Sequence, residues 1–397
     1  MENFKNLIDG FMDEIIEIRR KIHQNPEVSM KEFETTALIK KVLEESGIEI
    51  EERGLEVGVS AIIRGGKPGK TIGLRADIDA LPMNEESGLE FASKNPGVCH
   101  SCGHDINTAY LLLVGKVLQG CKEELAGNVR LLFQPAEELG VGAKYMIEKG
   151  AFTWEPVMEQ IVGVHVDPLL PLGHVGLIKG SANAGADMID IKVHGVGGHG
   201  ARPANTIDPI VASAYLITQL QTLISREISP FKPAVLSFGK IVGGTKANII
   251  PDSVEISGSL RTFDHETRAY MLEGIKRICK LHCESMRTTA EVTVNASIAP
   301  LINDAEVIDG LALATRQTIG EDKIILLPEP NSASDDFSEF LTKVQGVRYV
   351  VGNGSEDPRT SLTLHSANIV FNESVIQTAA LVTCQYVFNE LGFDCSP

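Results

Sequence analysis

The sequence predicts an α/β fold: a larger domain with a largely parallel mixed sheet flanked by helices, and an inserted βαββαβ domain of α+β type. Three observations predict it. Short apolar runs alternate with helical stretches over the first 180 or so residues. The rhythm then changes to alternating strands and two long helices. The 397 residues, 43% of them hydrophobic, suffice for two or three domains at about 150 residues each.

The segment from Phe11 to about Gly47 reads as two helices broken near Pro26, with Ile15, Ile18 and Ile22 on one apolar face and Leu38, Ile39, Val42 and Leu43 on another. Short strands are expected at Val59–Ile63, Thr71–Leu74, Val129–Phe133 and Ile161–Val164, with helices at Thr108–Val117 and Gly142–Glu148 among them. From about Ala186, Asp187–Val193 alternates as a half-buried strand does. A Gly-rich turn follows, then a helix (Asp208–Ile224), two strands (Ala234–Gly239, Val254–Arg261), a helix (Glu266–Met286) and a strand near Glu291–Val294. The expected division is 1–184, 185–296 and 297–397, the middle part being the insert.

Composition narrows the class. Lys and Arg total 36 against 53 acids, a formal charge of −17, which repels phosphate backbones and argues against nucleic-acid partners. No long apolar run suggests a membrane span, and the N-terminus has neither a signal nor a transit character, so the expected location is cytoplasmic. Seven cysteines, an odd number in a large chain, fit a reducing compartment.

Ligand-type residues crowd in three places. In Cys99-His100-Ser101-Cys102-Gly103-His104-Asp105, ahead of an apolar helix, Cys102 and His104 are two apart and face one way if the approach is extended. The helix dipole is expected to favour the Cys102 thiolate. Glu137 and Glu138 follow the strand Val129–Phe133. Adjacent carboxylates are expected to diverge, one towards a metal and one into a cleft as a general base. His165 and His365 each end an apolar run. Together these donors suit zinc and its borderline neighbours better than calcium or magnesium. Taken singly, each has a plain structural reading: a core cysteine, a solvated acidic loop, a structural histidine.

Five motifs occur in order: Arg75-Ala76-Asp77-Ile78-Asp79-Ala80-Leu81-Pro82, Cys102-Gly103-His104-Asp105, Phe133-Gln134-Pro135-Ala136-Glu137-Glu138, Gly197-Gly198-His199-Gly200-Ala201-Arg202-Pro203 and Asn248-Ile249-Ile250-Pro251-Asp252. Between about Arg19 and Glu373 the chain resembles the amidohydrolase branch of the aminoacylase and carboxypeptidase-like metallopeptidases, which includes hippurate hydrolases, N-acyl-amino-acid deacylases and auxin-conjugate hydrolases. The resemblance implies metal-dependent hydrolysis of the amide bond of N-acyl amino acids or related small amides. The alternative is a zinc-dependent dipeptidase or carboxypeptidase. It also implies two divalent metal ions (zinc, or manganese, cobalt or nickel) bridged by Cys102, with His104 and His165 on one and Glu138 and His365 on the other. Glu137 would be general base and acid, Asp79 would orient a ligand, and His199 would serve the scissile carbonyl. Asn248 and Arg261 are candidates for the substrate carboxylate. The insert would act as a lid and form a homodimer. Three positions depart from the pattern: Asn107 and Ala204 stand where relatives often carry His, and Asp335-Asp336-Phe337 replaces Glu-Asp-Phe.

Other readings compete. Cys99 and Cys102 form a C-x-x-C ahead of a helix, as a thiol-disulfide protein requires, but that leaves Glu138, His165 and His365 without a task. The run Gly195–Gly200 spells a dinucleotide fingerprint, but the next helix begins only near Asp208 and no acid follows at the needed distance. A binding protein that keeps pocket and ligands but lacks turnover is a third. Cys121, Cys279, Cys283, Cys384 and Cys395 read as structural.

Overall fold

The computed structural model describes residues 2–392; Cys395 lies outside the described residues. Two compact units result. The first comprises 1–180, 303–329 and 339–397, the second 181–302 and 330–338. The segment 330–338 therefore groups with the second unit, whereas the sequence division had put it with the last part of the larger domain.

The first unit opens with α1 (Glu2–Gln24) and α2 (Phe33–Glu45), then β1 (Glu49–Ile50), β2 (Val59–Arg64), β3 (Lys67–Asp77), α3 (His104–Gly120), β4 (Ala126–Gln134), α4 (Gly142–Glu148), β5 (Met158–Pro171) and β6 (Val175–Leu177). The chain leaves along β7 (Gly180–Asn183). The second unit then supplies β8 (Gly185–His194), β9 (Gly198–His199), α5 (Pro209–Thr222), β10 (Ala234–Gly243), β11 (Ile249–Ile250), β12 (Ser253–Thr262), α6 (His265–Ser285) and β13 (Thr289–Ile298). After β14 (Leu301–Asn303) come α7 (Ala305–Thr318), β15 (Ile324–Leu326), α8 (Phe337–Leu341), β16 (Gln345–Gly354) and α9 (Ser374–Glu390).

An eight-stranded mixed sheet of order β1-β2-β4-β3-β5-β16-β6-β15 forms the first unit. Its centre, β4-β3-β5-β16, is parallel throughout. Such strands are covered on both faces, which is why they read as continuous apolar runs. Helix α3, apolar on every side, is buried along nearly its whole length and belongs to the same core as Ile8 and Ile15 of α1 and Ala379 and Val382 of α9. Two elements are longer than the apolar runs that announced them. Helix α1 begins at Glu2, nine residues before Phe11, and β5 runs on to Pro171.

In the second unit the four-stranded sheet has the order β10-β12-β8-β13, antiparallel throughout. The alternation read in Asp187–Val193 is visible in the burial of Ile189, Ile191 and Val193, which pack with Ala212, Leu216 and Leu220 of α5 and Met271, Ile275 and Ile278 of α6. Helix α5 starts on Asp208, whose carboxylate accepts the amides of Ile210 and Val211. No helix among the described residues is long and apolar enough to cross a membrane.

Candidate metal centre

The parallel strands bring the ligand-type residues to one edge of the sheet. Asp77, the last residue of β3, pairs with Gln134, the last of β4. On the other side Arg75 pairs with Gly163, and two residues further along β5 stands His165, paired with Val350 of β16. The loops leaving these strand ends carry Asp79, Glu137 and Glu138, as expected where parallel strands end.

Cys102 and His104 reach the same place by a tight turn, not by the extended approach that their spacing suggested. Gly103 between them is left-handed, with φ +85°. A Cβ there would lie 2.4 Å from Val166 Cγ1 and 3.1 Å from Phe371, so this position needs glycine on both counts. His365 also has a left-handed backbone, φ +65°, and its amide donates to the Ser101 carbonyl at 2.9 Å, tying its loop to the cysteine turn.

The donor atoms converge. Cys102 Sγ, His104 and His165 have donor atoms all within 4.8 Å of one another, as do Cys102, Glu138 and His365. His165 Nε2 stands 3.7 Å from Cys102 Sγ, and His365 Nε2 stands 3.4 Å from Glu138 Oε1. Cys102, His104 and His165 are buried, whereas the His365 side chain is 51% exposed, so the centre has a buried side and an open side. The two glutamates diverge less than adjacent carboxylates on a regular strand. Glu137 Oε2 and Glu138 Oε1 lie 3.9 and 3.8 Å from His104 Nε2. The cause is Ala136, whose φ of +54° turns the chain just before them.

Orientation of the imidazoles suits a cation. His104 Nδ1 donates towards the Asp79 carbonyl at 2.9 Å and lies 3.2 Å from Asp79 Oδ1, which leaves Nε2 facing the carboxylates, where a cation would take the place of its proton. His165 Nδ1 donates to the Val166 carbonyl at 2.8 Å, turning Nε2 to the thiol. His104 Nε2 and Glu138 Oε1 are buried atoms without a hydrogen-bond partner. Buried polar atoms are rarely left so, and a cation among sulfur, nitrogen and oxygen donors answers both. The donor set of thiol, imidazole and carboxylate thus fits divalent metal.

Protonation corrects one expectation. The dipole of α3 does not make Cys102 a thiolate in the metal-free chain. Burial pushes its thiol well above the usual range and outweighs the attraction of His104. For His104, burial alone favours the neutral ring, but Asp77 and its other polar neighbours prevail and raise it well above the ordinary histidine value. A metal entering this centre displaces protons.

Two residues here were not singled out in the sequence. Asp77 accepts Arg75 Nη1 at 2.5 Å and Asn107 Nδ2 at 2.7 Å, and stands 3.8 Å from His104 Nε2. Asn107, one of the departures, is therefore a buried partner of Asp77. Glu32 is fully buried and accepts the Ala136 amide at 2.8 Å. Asp77 had a signal in its place two residues before Asp79; Glu32, a lone acid near a helix start, had none. The Cys99–Cys102 pair shows two buried free thiols, with burial raising the Cys99 pKa as well, unlike a reactive redox pair.

The remaining candidates belong to the second unit. Pairing of β9 with β11 sets His199 against Ile249, beside exposed Asn248. His199 Nδ1 accepts the Ala201 amide at 3.1 Å, so the neutral ring carries its proton on Nε2. Arg261 is elsewhere. In the β8–β12 ladder it pairs with Ala186, while His194, which leads into β9, pairs with Ser253. Eight residues of strand, roughly 27 Å at about 3.4 Å each, separate those two ends.

A parallel-sheet edge carrying a shared thiol, paired carboxylates and oriented imidazoles defines a metallohydrolase type of centre. By its sequence the chain belongs to the peptidase family M20/M25/M40, whose model matches residues 73–389. It is 40% identical over 387 residues to thermostable carboxypeptidase 2 of Saccharolobus solfataricus, covering 96% of each chain. It is 42% identical over 334 residues to the N-acetyl-L-cysteine deacetylase of Bacillus subtilis, covering 84% of this chain and 79% of that one. Among solved structures it is similar to the YXEP protein of Bacillus subtilis, described as a dinuclear metal binding peptidase. The TM-score is 0.84 at 31% identity, covering 97% and 99% of the two chains.

Proposed function

We propose that this protein is a dinuclear metal amidohydrolase that removes the acyl group from N-acyl amino acids. The observation that carries the reading is Cys102, common to two sets of donors, with Glu137 beside them. One cation would be held by Cys102, His104 and His165, the other by Cys102, Glu138 and His365. Two such ions supply Lewis acidity for water and for the amide carbonyl. Glu137 takes the proton from the attacking water and returns it to the nitrogen of the leaving amine. Asp79 holds His104 in the tautomer that presents Nε2. His199, with its proton on Nε2, is the proposed donor to the tetrahedral oxyanion, and Asn248 and Arg261 the proposed carboxylate contacts.

The same reading includes a homodimer through the inserted domain and a cytoplasmic location. Support for the dimer comes from the separation of Arg261 from His199 and Asn248. Within one chain they sit at opposite ends of a sheet, so one small substrate meets both only if a second chain supplies some of them. Mixing His199→Ala chains with Glu137→Gln chains tests this. Half of randomly paired dimers are mixed, each with one intact site, so roughly a quarter of wild-type activity should return.

The deciding assay loads metal-free protein with zinc, manganese, cobalt or nickel and offers N-acetyl and N-benzoyl amino acids beside dipeptides. N-acyl amino acids should be cleaved faster. Preference for dipeptides would instead support the carboxypeptidase reading that the Saccharolobus relative favours. Glu137→Gln should abolish hydrolysis with metal retained, and Cys102→Ala should lose metal. A fully active Glu137→Gln ends the mechanism.

A further inference from the structure

Glu137 is bracketed by two backbone amides, each held by a carboxylate. On one side Ala136 N donates to Glu32 Oε1 at 2.8 Å; on the other Glu138 N donates to Asp79 Oδ2 at 3.1 Å. Both supports trace to one short stretch of chain. Glu32 belongs to it directly, and Ser29 Oγ donates to Asp79 Oδ2 at 2.6 Å, while Val28 bridges to Ala80.

The turn so held is an unusual one. Ala136 is left-handed with φ +54°, a state that residues with a Cβ keep only where surroundings impose it. Behind it the turn closes on its own backbone: Gly140 N donates to the Glu137 carbonyl at 2.7 Å and Gly142 N to the Ala136 carbonyl at 3.2 Å. A Cβ on Gly142 would stand 1.6 Å from the Pro135 carbonyl oxygen, so there is no slack on that side. The Ala136 amide, buried with Glu32, has water as no ready substitute partner.

We propose that Glu32 is a positioning residue for Glu137: its carboxyl oxygen fixes the left-handed turn at Ala136 and thereby aims the general base. The inference rests on the reading of Glu137 as that base. What the position requires is an acceptor oxygen, whatever its charge. A displacement of about 1 Å in a reacting group can cost on the order of 100-fold in rate, so slack in this turn appears in turnover before substrate binding.

Two substitutions in the metal-loaded full chain separate aiming from packing. Glu32→Gln keeps a carbonyl acceptor at the same reach; Glu32→Met fills similar space without one. Glu32→Gln should stay within about twofold of wild type in kcat, and Glu32→Met should fall roughly 10- to 100-fold with KM within twofold and two metals per chain retained. A merely structural role would lower folded or metal-loaded fractions while leaving kcat per loaded chain unchanged. That result, or Glu32→Gln as impaired as Glu32→Met, overturns the proposal. Should Glu32→Met not fold, Glu32→Asp withdraws the acceptor by one methylene and carries the same expectation and refutation. Glu137→Gln measured alongside separates the two ideas. If it is fully active, the base assignment fails and this inference with it. If it is inactive while Glu32→Met turns over normally, only the positioning role is lost.

Discussion

Gly103 joins Cys102 to His104, and replacing it with alanine tests how much the centre depends on that one backbone conformation. Two costs add. An L-residue at φ +85° loses about 1–2 kcal/mol relative to a relaxed backbone. The new methyl would also meet Val166 Cγ1 at 2.4 Å, about 1 Å inside ordinary contact, with Phe371 3.1 Å away on the same side; overpacking of this kind costs about 1–3 kcal/mol. Gly103→Ala should therefore lose roughly 2–5 kcal/mol in urea unfolding of the metal-free protein. The functional effect follows from where relief must come. Val166 neighbours His165, so opening the contact shifts His165 against Cys102 by a large fraction of an ångström, enough for roughly 100-fold in kcat at saturating metal. A variant within about 0.5 kcal/mol of wild type and of normal turnover would show that the turn can be redrawn freely. It would refute the argument that glycine sets the convergence.

Three further outcomes follow from charge and burial. Metal uptake should release about two protons, one from the Cys102 thiol and one from the His104 ring, because both are raised in the metal-free chain; affinity should rise with pH, and calorimetry in buffers of different ionisation enthalpy counts the protons. In the metal-free protein, burial pushes Glu32 from 4.5 up to about 7 and His100 from 6.5 down to about 4. The Glu32 contribution to stability is complete below pH 4.5 and is lost as pH rises to 7; that of His100 is complete above 6.5 and is lost as pH falls to 4, each roughly 3 kcal/mol. Opposed in wild type, they should separate on substitution: between pH 4.5 and 6.5 stability of Glu32→Gln should climb with pH and that of His100→Asn should fall, whereas parallel curves would contradict both assignments. Finally, Asp105 is fully buried against Arg19 Nε at 2.7 Å and His23 Nδ1 at 2.8 Å. Asp105→Asn leaves the buried guanidinium with only the 3.5 Å contact of its Nη1 to Glu373 as an ion pair and should cost about 3–5 kcal/mol, measured by denaturant titration.

The legible parts of this protein are those where one physical demand fixes the local sequence. The central stretches of β3, β4 and β5 are covered on both faces, so they read as largely apolar runs, and they stood out at once. The alternation of β8 exposed a one-sided sheet as plainly. The donors were also legible, since sulfur, imidazole and carboxylate side chains are seldom gathered for packing alone. Extent was harder to read. The first turns of α1 hold their apolar contact, Phe4 and Ile8, among charged residues, so helical periodicity emerged only farther along. The segment 330–338 reads as a polar, Ser- and Asp-rich loop, and its grouping with the second unit follows from tertiary contact that its composition does not announce.

The illegible part of the site is its scaffolding, and the reason is geometric. A metal ligand is constrained by its chemistry and so announces itself by residue type. A support such as Glu32 is constrained only by where its oxygen must be, 104 residues away in sequence from the amide it holds. Any acid on a helix start looks the same until the chain is folded. The meeting of Cys102 and His104 shows the same limit: their spacing suggests period-two extension, whereas the left-handed glycine between them brings them together in a turn. The glycine itself was visible in the sequence, and its packing against Val166 and Phe371, from strands and loops far along the chain, was not.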